Sequence, residues 1–237
     1  CCYTRRVRGF VNGSARTRLS IRHCGITFWQ RFDGGIAMIV LGLSGSIGMG
    51  KSTASAMFRK LGVPVFDADA EVHKIMAAGG VAVAPVETAF PGVTHAESGV
   101  DRQKLGAAVF GNPQKLKILE GIIHPLVGRG REQFNRRARA ARLPVVVYDI
   151  PLLFETGGEK KVDYVCVVSA PRPIQIARVM ARPGMTRDKL NHIMAVQVPD
   201  VIKRRKADFV IPTGNGKSFA LMRIRNILNS LKVKTNA

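Results

Sequence analysis

The strongest chemical signal in the chain is Gly45-Ser46-Ile47-Gly48-Met49-Gly50-Lys51-Ser52, which has the spacing GxxxxGK[ST]. Glycines at these positions let a backbone wrap a phosphate with its N–H groups pointing inward. The N-terminus of a following helix adds partial positive charge. In this pattern Lys51 reaches the β- and γ-phosphates and Ser52 ligates Mg²⁺. The expected nucleotide-binding stretch is Gly45, Gly48, Met49, Gly50, Lys51, Ser52 and Thr53. A second run, Gly214-Asn215-Gly216-Lys217-Ser218, lacks the first glycine at the required spacing and reads as a turn and helix start.

Three carboxylates fall where a reacting phosphate would sit. Asp67 and Asp69 follow the second apolar run, and Asp149 ends Val145-Val146-Val147-Tyr148. An aspartate there accepts the proton of an attacking hydroxyl. Strand alternation turns only one of Asp67 and Asp69 to the site. The competing reading makes Asp69 the cap of the helix that begins Ala70-Glu71-Val72-His73, and spacing leaves the two even. Asp149 has a Walker-B-like position, as a Mg²⁺ partner or as a strand-ending residue bonded to a nearby loop. His124-Pro125 lies inside a helical stretch, where proline is expected to break or kink the helix and turn His124 outward. His124 is then either structural or a ligand contact. Arg178, Arg182 and Arg187 flank Pro183-Gly184. They form either a solvated basic face or a hinged lid that offsets charge on a transferred phosphoryl.

The elements that must hold these residues follow from hydrophobic pattern. Continuous apolar runs at 38–43, 63–66, 145–149, 164–168 and 209–211 read as buried parallel strands. Helical spacing is expected over 51–61, from Asp101 through Leu105 and Val109 to Phe110, from Pro113 to about Arg142, near 172–181 and 186–198, and over 217–232. Residues 79–100, rich in Gly, Ala, Val and Pro, read as a connection. The alternation predicts a three-layer α/β fold with a five-stranded parallel sheet. The stretch 67–143 interrupts it and reads as an inserted helical subdomain over the edge where ligands bind. Residues 172–205 read as a lid.

Residues 1–37 differ from the rest: seven arginines, one acid (Asp33) and no helical or strand period. They read as an extension before the domain, either translated upstream sequence or a disordered segment, with Met38 as the start. An organellar presequence and a basic nucleic-acid arm are the other readings. Of the formal +21, this stretch supplies seven Arg minus one Asp, so +15 stays with 38–237 and favours anionic partners. No RNA-binding signature accompanies that charge, and the three Tyr and one Trp are scattered, so no specific nucleic-acid partner is expected. The longest apolar run, Ile36–Leu43, is far too short to span a bilayer. None of the four cysteines makes a CxxC pair, which fits a reducing, cytoplasmic setting, and Cys166 sits in an apolar run as a core thiol.

Over about 38–232 the chain resembles the dephospho-CoA kinase family. Gly42-Leu43-Ser44-Gly45-Ser46-Ile47-Gly48-Met49-Gly50-Lys51-Ser52-Thr53 is similar to its phosphate loop, and Asp67-Ala68-Asp69 to its DAD. Arg102, Leu105, Val109 and Phe110 match its basic helix, and His124-Pro125 its HP pair. Pro151-Leu152-Leu153-Phe154-Glu155 matches its PLLFE, and Gln175, Arg178, Gln197 and Ala207-Asp208 recur in order. The resemblance implies ATP with Mg²⁺, and phosphorylation of the ribose 3′-hydroxyl of dephospho-CoA. It implies Asp69 as catalytic base, with Lys51 and the lid arginine Arg178 acting on the phosphates. It also implies a dephospho-CoA site drawing on Asp69, Arg102, His124 and Pro125. The chain departs from the family pattern at Ser46 and Met49 (usually Gly and Ser), at Pro183 (usually Asp) and at Ile211-Pro212-Thr213 (usually Ile-x-Asn). Asp149 lies outside that pattern. A different small-molecule kinase is the nearest rival reading, and a nucleic-acid-binding ATPase the more distant one.

Overall fold

A computed structural model describes residues 38–235; the expectations for 1–37 lie outside the described residues. The chain opens with β1 (Ile39–Ser44), the phosphate loop and α1 (Lys51–Lys60), then β2 (Val65–Asp67). There follow α2 (Ala68–Met76), α3 (Val83–Ala89), a hairpin of β3 (Thr94–His95) and β4 (Gly99–Val100), α4 (Arg102–Val109) and α5 (Pro113–Ala140). The sheet resumes with β5 (Val145–Asp149) and β6 (Tyr164–Ser169). After α6 (Arg172–Met180), α7 (Arg187–Val196) and α8 (Asp200–Lys206) come β7 (Phe209–Pro212) and α9 (Lys217–Thr235).

The main sheet is five-stranded and parallel, in the order β2-β5-β1-β6-β7. Its strands are apolar on both sides because both faces are covered. One face carries Leu41, Leu43, Val145, Val147, Cys166, Val168 and Ile211 against Phe58 of α1 and Ile224 and Leu228 of α9. The other face sets Phe66, Val146 and Tyr148 against Phe134 and Ala138 of α5, and Val165 and Val167 against Leu153 and Phe154. Burial pushes the Cys166 thiol well above the usual thiol range. It is a packing residue, not a nucleophile.

The helices between β2 and β5 have their own core: Ile75, Met76, Val86, Phe90, Val93, Val100, Leu105 and Ile123. The stretch expected to be a plain connection contains α3 and the β3–β4 hairpin, and Val86, Phe90 and Val93 from it fill that core. The helix around His124-Pro125 is not broken: α5 runs through Pro125 as one element. Proline removes the donor to the Gly121 carbonyl, but residues 121, 124 and 125 are exposed, so water reaches that carbonyl. Ile123, Leu119 and Val127 anchor the opposite face.

Candidate active site

Register places the site. Leu43 pairs with Asp149, and Asp149 with Asp67, so the three strands end together where the phosphate loop leaves β1. Two loop glycines are fixed by geometry. A Cβ on Gly45 would lie 2.3 Å from Val168 Cγ2, and Gly50 holds φ 86° as it caps α1. Ser46 fits without strain, since Arg142 is the only non-glycine with positive φ among the described residues. Met49 is buried, and its sulfur accepts from the Ala170 N–H at 3.1 Å.

Lys51 is not a free surface cation. Its Nζ is ion-paired with Asp149, and the side chains are 18% and 4% exposed. The carboxylate that ends β5 is therefore bonded to the phosphate loop's own lysine. Ser52 and Thr53 are exposed on the first turn of α1.

The cap of α2 is Asp67, not Asp69: its Oδ1 accepts from the Ala70 N–H at 3.0 Å, while Oδ2 faces Arg59 at 3.7 Å. Strand alternation does not decide between the two residues, because Asp69 already lies in the helix. Asp69 is exposed there and makes no hydrogen bond or ion pair among the described residues. It shares one stripe with Val72 and Met76, at spacings of three and seven residues. Val72 and Met76 line a cleft of about 300 Å³ whose polar wall includes Arg102, His124 and Glu120, with Leu105, Val109 and Leu119 as apolar wall. Pro125 is exposed and is not among its walls. Arg102 is 2.6 Å from His73 Nε2; a guanidinium has only donors, so that nitrogen accepts.

Arg178 stands at the other flank of the loop, donating to the Thr213 carbonyl at 2.7 Å and to Thr213 Oγ1 at 3.1 Å. Thr213 Oγ1 in turn donates to the Met49 carbonyl at 2.7 Å. Arg182, Pro183, Gly184 and Arg187 are exposed. The role of Thr213 was missed by sequence reasoning, as were the bonds of Gln175 and Gln197 to Ile47. The signal available was the recurrence of the two glutamines and the departure at Thr213, but the partners lie more than a hundred residues away.

Comparison with known proteins gives the same direction as the geometry. A family model described as dephospho-CoA kinase matches residues 39–218. The dephospho-CoA kinase of Mesorhizobium japonicum is 54% identical over 195 residues, 82% of this chain and 98% of the relative. That of Paramagnetospirillum magneticum is 60% identical over 167 residues, 70% of this chain and 78% of the relative. The crystal structure of TT1252 from Thermus thermophilus superposes with a TM-score of 0.71 at 33% identity, covering 81% of this chain and 96% of that one. The phosphate loop, the cleft helices and the segment carrying Arg178 all fall inside the matched span, and the chain belongs to the dephospho-CoA kinase family.

Proposed function

We infer that this chain transfers the γ-phosphoryl group of ATP to the ribose 3′-hydroxyl of dephospho-CoA, giving coenzyme A and ADP. The observation that carries the reading is the α2 stripe. It joins Asp69, a carboxylate without a partner among the described residues, to the apolar and basic cleft of Val72, Met76, Arg102 and His124. An acceptor held in that cleft presents its hydroxyl to Asp69 beside the edge where the phosphate loop opens.

Lys51 exchanges Asp149 for the β- and γ-phosphates, and the loop N–H groups hold the remaining oxygens. Asp69 takes the proton as the 3′-oxygen bonds to the γ-phosphorus, and the bond to the β-phosphate oxygen breaks to release ADP. Arg178, fixed by Thr213 beside Gly50, supplies positive charge along the nucleotide. Arg102 and His124 bind anionic and polar groups of the acceptor, while Leu105 and Leu119 take its apolar portion.

A divalent ion suits this site only together with the nucleotide. No three His, Cys, Asp or Glu side chains gather into a metal-holding group among the described residues. The Ser52 hydroxyl and phosphate oxygens would hold Mg²⁺, which retains several waters by preference. Bound there, it would offset negative charge on the nucleotide's phosphates. No helix among the described residues is long and apolar enough to cross a membrane. The reading carries a cytoplasmic setting with it, where ATP is supplied.

The test is ADP release with dephospho-CoA, nucleosides, nucleotides and shikimate as acceptors. Turnover confined to dephospho-CoA supports the assignment. Faster turnover on another acceptor overturns it.

A further inference from the structure

The middle of the phosphate loop is gripped from two directions. The Ile47 carbonyl accepts from Gln175 Nε2 at 2.8 Å, and the Ile47 N–H donates to Gln197 Oε1 at 3.1 Å. Neither amide can be turned round. A carbonyl only accepts and an N–H only donates, so Gln175 must present its NH₂ and Gln197 its oxygen. Gln175 is buried within α6, and Gln197 is half-buried just past the end of α7. Everything between them is the segment that carries Arg178, Arg182 and Arg187.

A trans peptide sets its C=O and N–H on opposite sides. With the Ile47 carbonyl drawn to Gln175, the Gly48 N–H is turned away from α6. With the Ile47 N–H drawn to Gln197, the Ser46 carbonyl is turned the other way, where it accepts from the Met49 N–H at 3.1 Å. The two glutamines thus set the peptide planes on both sides of Ile47, and with them the direction of a loop donor.

Each foot is itself fixed. A Cβ on Gly48 would lie 2.5 Å from Val179 Cγ2 and 2.9 Å from the Gln175 carbonyl, so α6 lies directly against the loop. Next to Gln197, the Val198 N–H donates to Glu155 Oε1 at 2.9 Å, and the same oxygen faces the buried Lys203 Nζ at 2.9 Å.

We propose that Gln175 and Gln197 are positioning residues for phosphoryl transfer. They fasten both ends of the α6–α7 segment to Ile47, so that the placement of this segment and the orientation of the loop's N–H donors change together. The proposal rests on the reading that this loop binds Mg-ATP.

The test exploits the opposite polarity of the two bonds, in the full chain. Glutamate keeps an acceptor and loses the donor. Gln197→Glu therefore retains the bond to Ile47, while Gln197→Met and Gln175→Met each remove one. Amide exchange at Ile47 and calorimetric Mg-ATP binding are read together, with melting temperature as the folding control. Gln197→Met is expected to speed Ile47 exchange at least tenfold and to weaken Mg-ATP about tenfold. Gln197→Glu should keep Ile47 protected. Gln175→Met should weaken Mg-ATP about tenfold, and dephospho-CoA binding should be unchanged in all three variants. If Gln175→Met fails to fold, the two variants at half-buried Gln197 decide. Wild-type Mg-ATP affinity in folded Gln197→Met overturns the clamp, as does equal loss of Ile47 protection in Gln197→Glu. A wild-type chain that binds no Mg-ATP overturns the nucleotide reading instead.

Discussion

At the scale of single residues, Lys51 and Asp149 have to be treated as one unit. Spacing assigns Lys51 only to the β- and γ-phosphates of a nucleotide. In the structure it neutralises a buried carboxylate. Lys51→Ala should abolish turnover and also destabilise the fold, by about 3–5 kcal/mol if the buried charge is left bare. Adding Asp149→Asn removes that charge, so the double variant should regain most of the melting temperature and none of the activity. Equal melting temperatures for the single and double variants would show that the bare Asp149 charge is not what destabilises Lys51→Ala. The two neighbouring aspartates should separate just as cleanly. Asp69→Asn should lower turnover by roughly 10²–10⁴-fold with Mg-ATP affinity kept, the usual range for a lost general base. Asp67→Ala should instead cost about 0.5–2 kcal/mol of stability as a lost helix cap. Turnover, Mg-ATP binding and thermal unfolding of both variants check this, and a larger rate loss at Asp67 would relocate the base.

At the scale of elements, α8 is tied to the segment after β5 through Glu155. Burial raises the pKa of this carboxyl, but the ion pair with Lys203 and the hydrogen bond from the Val198 N–H outweigh it and leave the group below its ordinary value of 4.5. A depressed carboxyl stabilises the fold above its unfolded range and loses that contribution as pH falls through the folded value. Wild-type stability should therefore drop on acidification below about pH 4.5. Glu155→Gln should be less stable at pH 7, toward the low end of about 3–5 kcal/mol, with a shallower acid limb. Parallel unfolding curves against pH would refute the role of the charge. PLLFE was legible as a string, but its glutamate's partner on α8 was not, because α8 begins at Pro199-Asp200 with no apolar period to announce it. The five strands were legible because burial on both faces leaves unbroken apolar runs. The helix α3 and the β3–β4 hairpin are too short to show a period. The site was half legible: the loop came from motif spacing, while the cleft residues Arg102 and His124 came only from the family resemblance. The cap chemistry that separates Asp67 from Asp69, and the contacts of Thr213 and the two glutamines, needed the fold.

At the scale of the molecule, +15 of formal charge over residues 38–237 meets two polyanionic substrates. Exposed charges act within a screening length of about 10 Å at 0.1 M salt. Raising ionic strength should therefore increase KM for dephospho-CoA several-fold and leave kcat nearly constant. A KM independent of salt in initial-rate measurements would show that this charge does not draw in substrate. The strand order has a consequence for biosynthesis. β1 sits between β5 and β6, whose pairing residues begin at Val145 and Tyr164. On a ribosome, the first strand waits for about a hundred further residues, roughly 5–20 s at ordinary elongation rates. The cluster spanning Ile75 to Ile123 is complete well before then. A nascent chain that has emerged only to a point between Ile123 and Val145 thus exposes all the residues of the helical core beside an unpaired apolar strand, the kind of edge that recruits other strands or a chaperone.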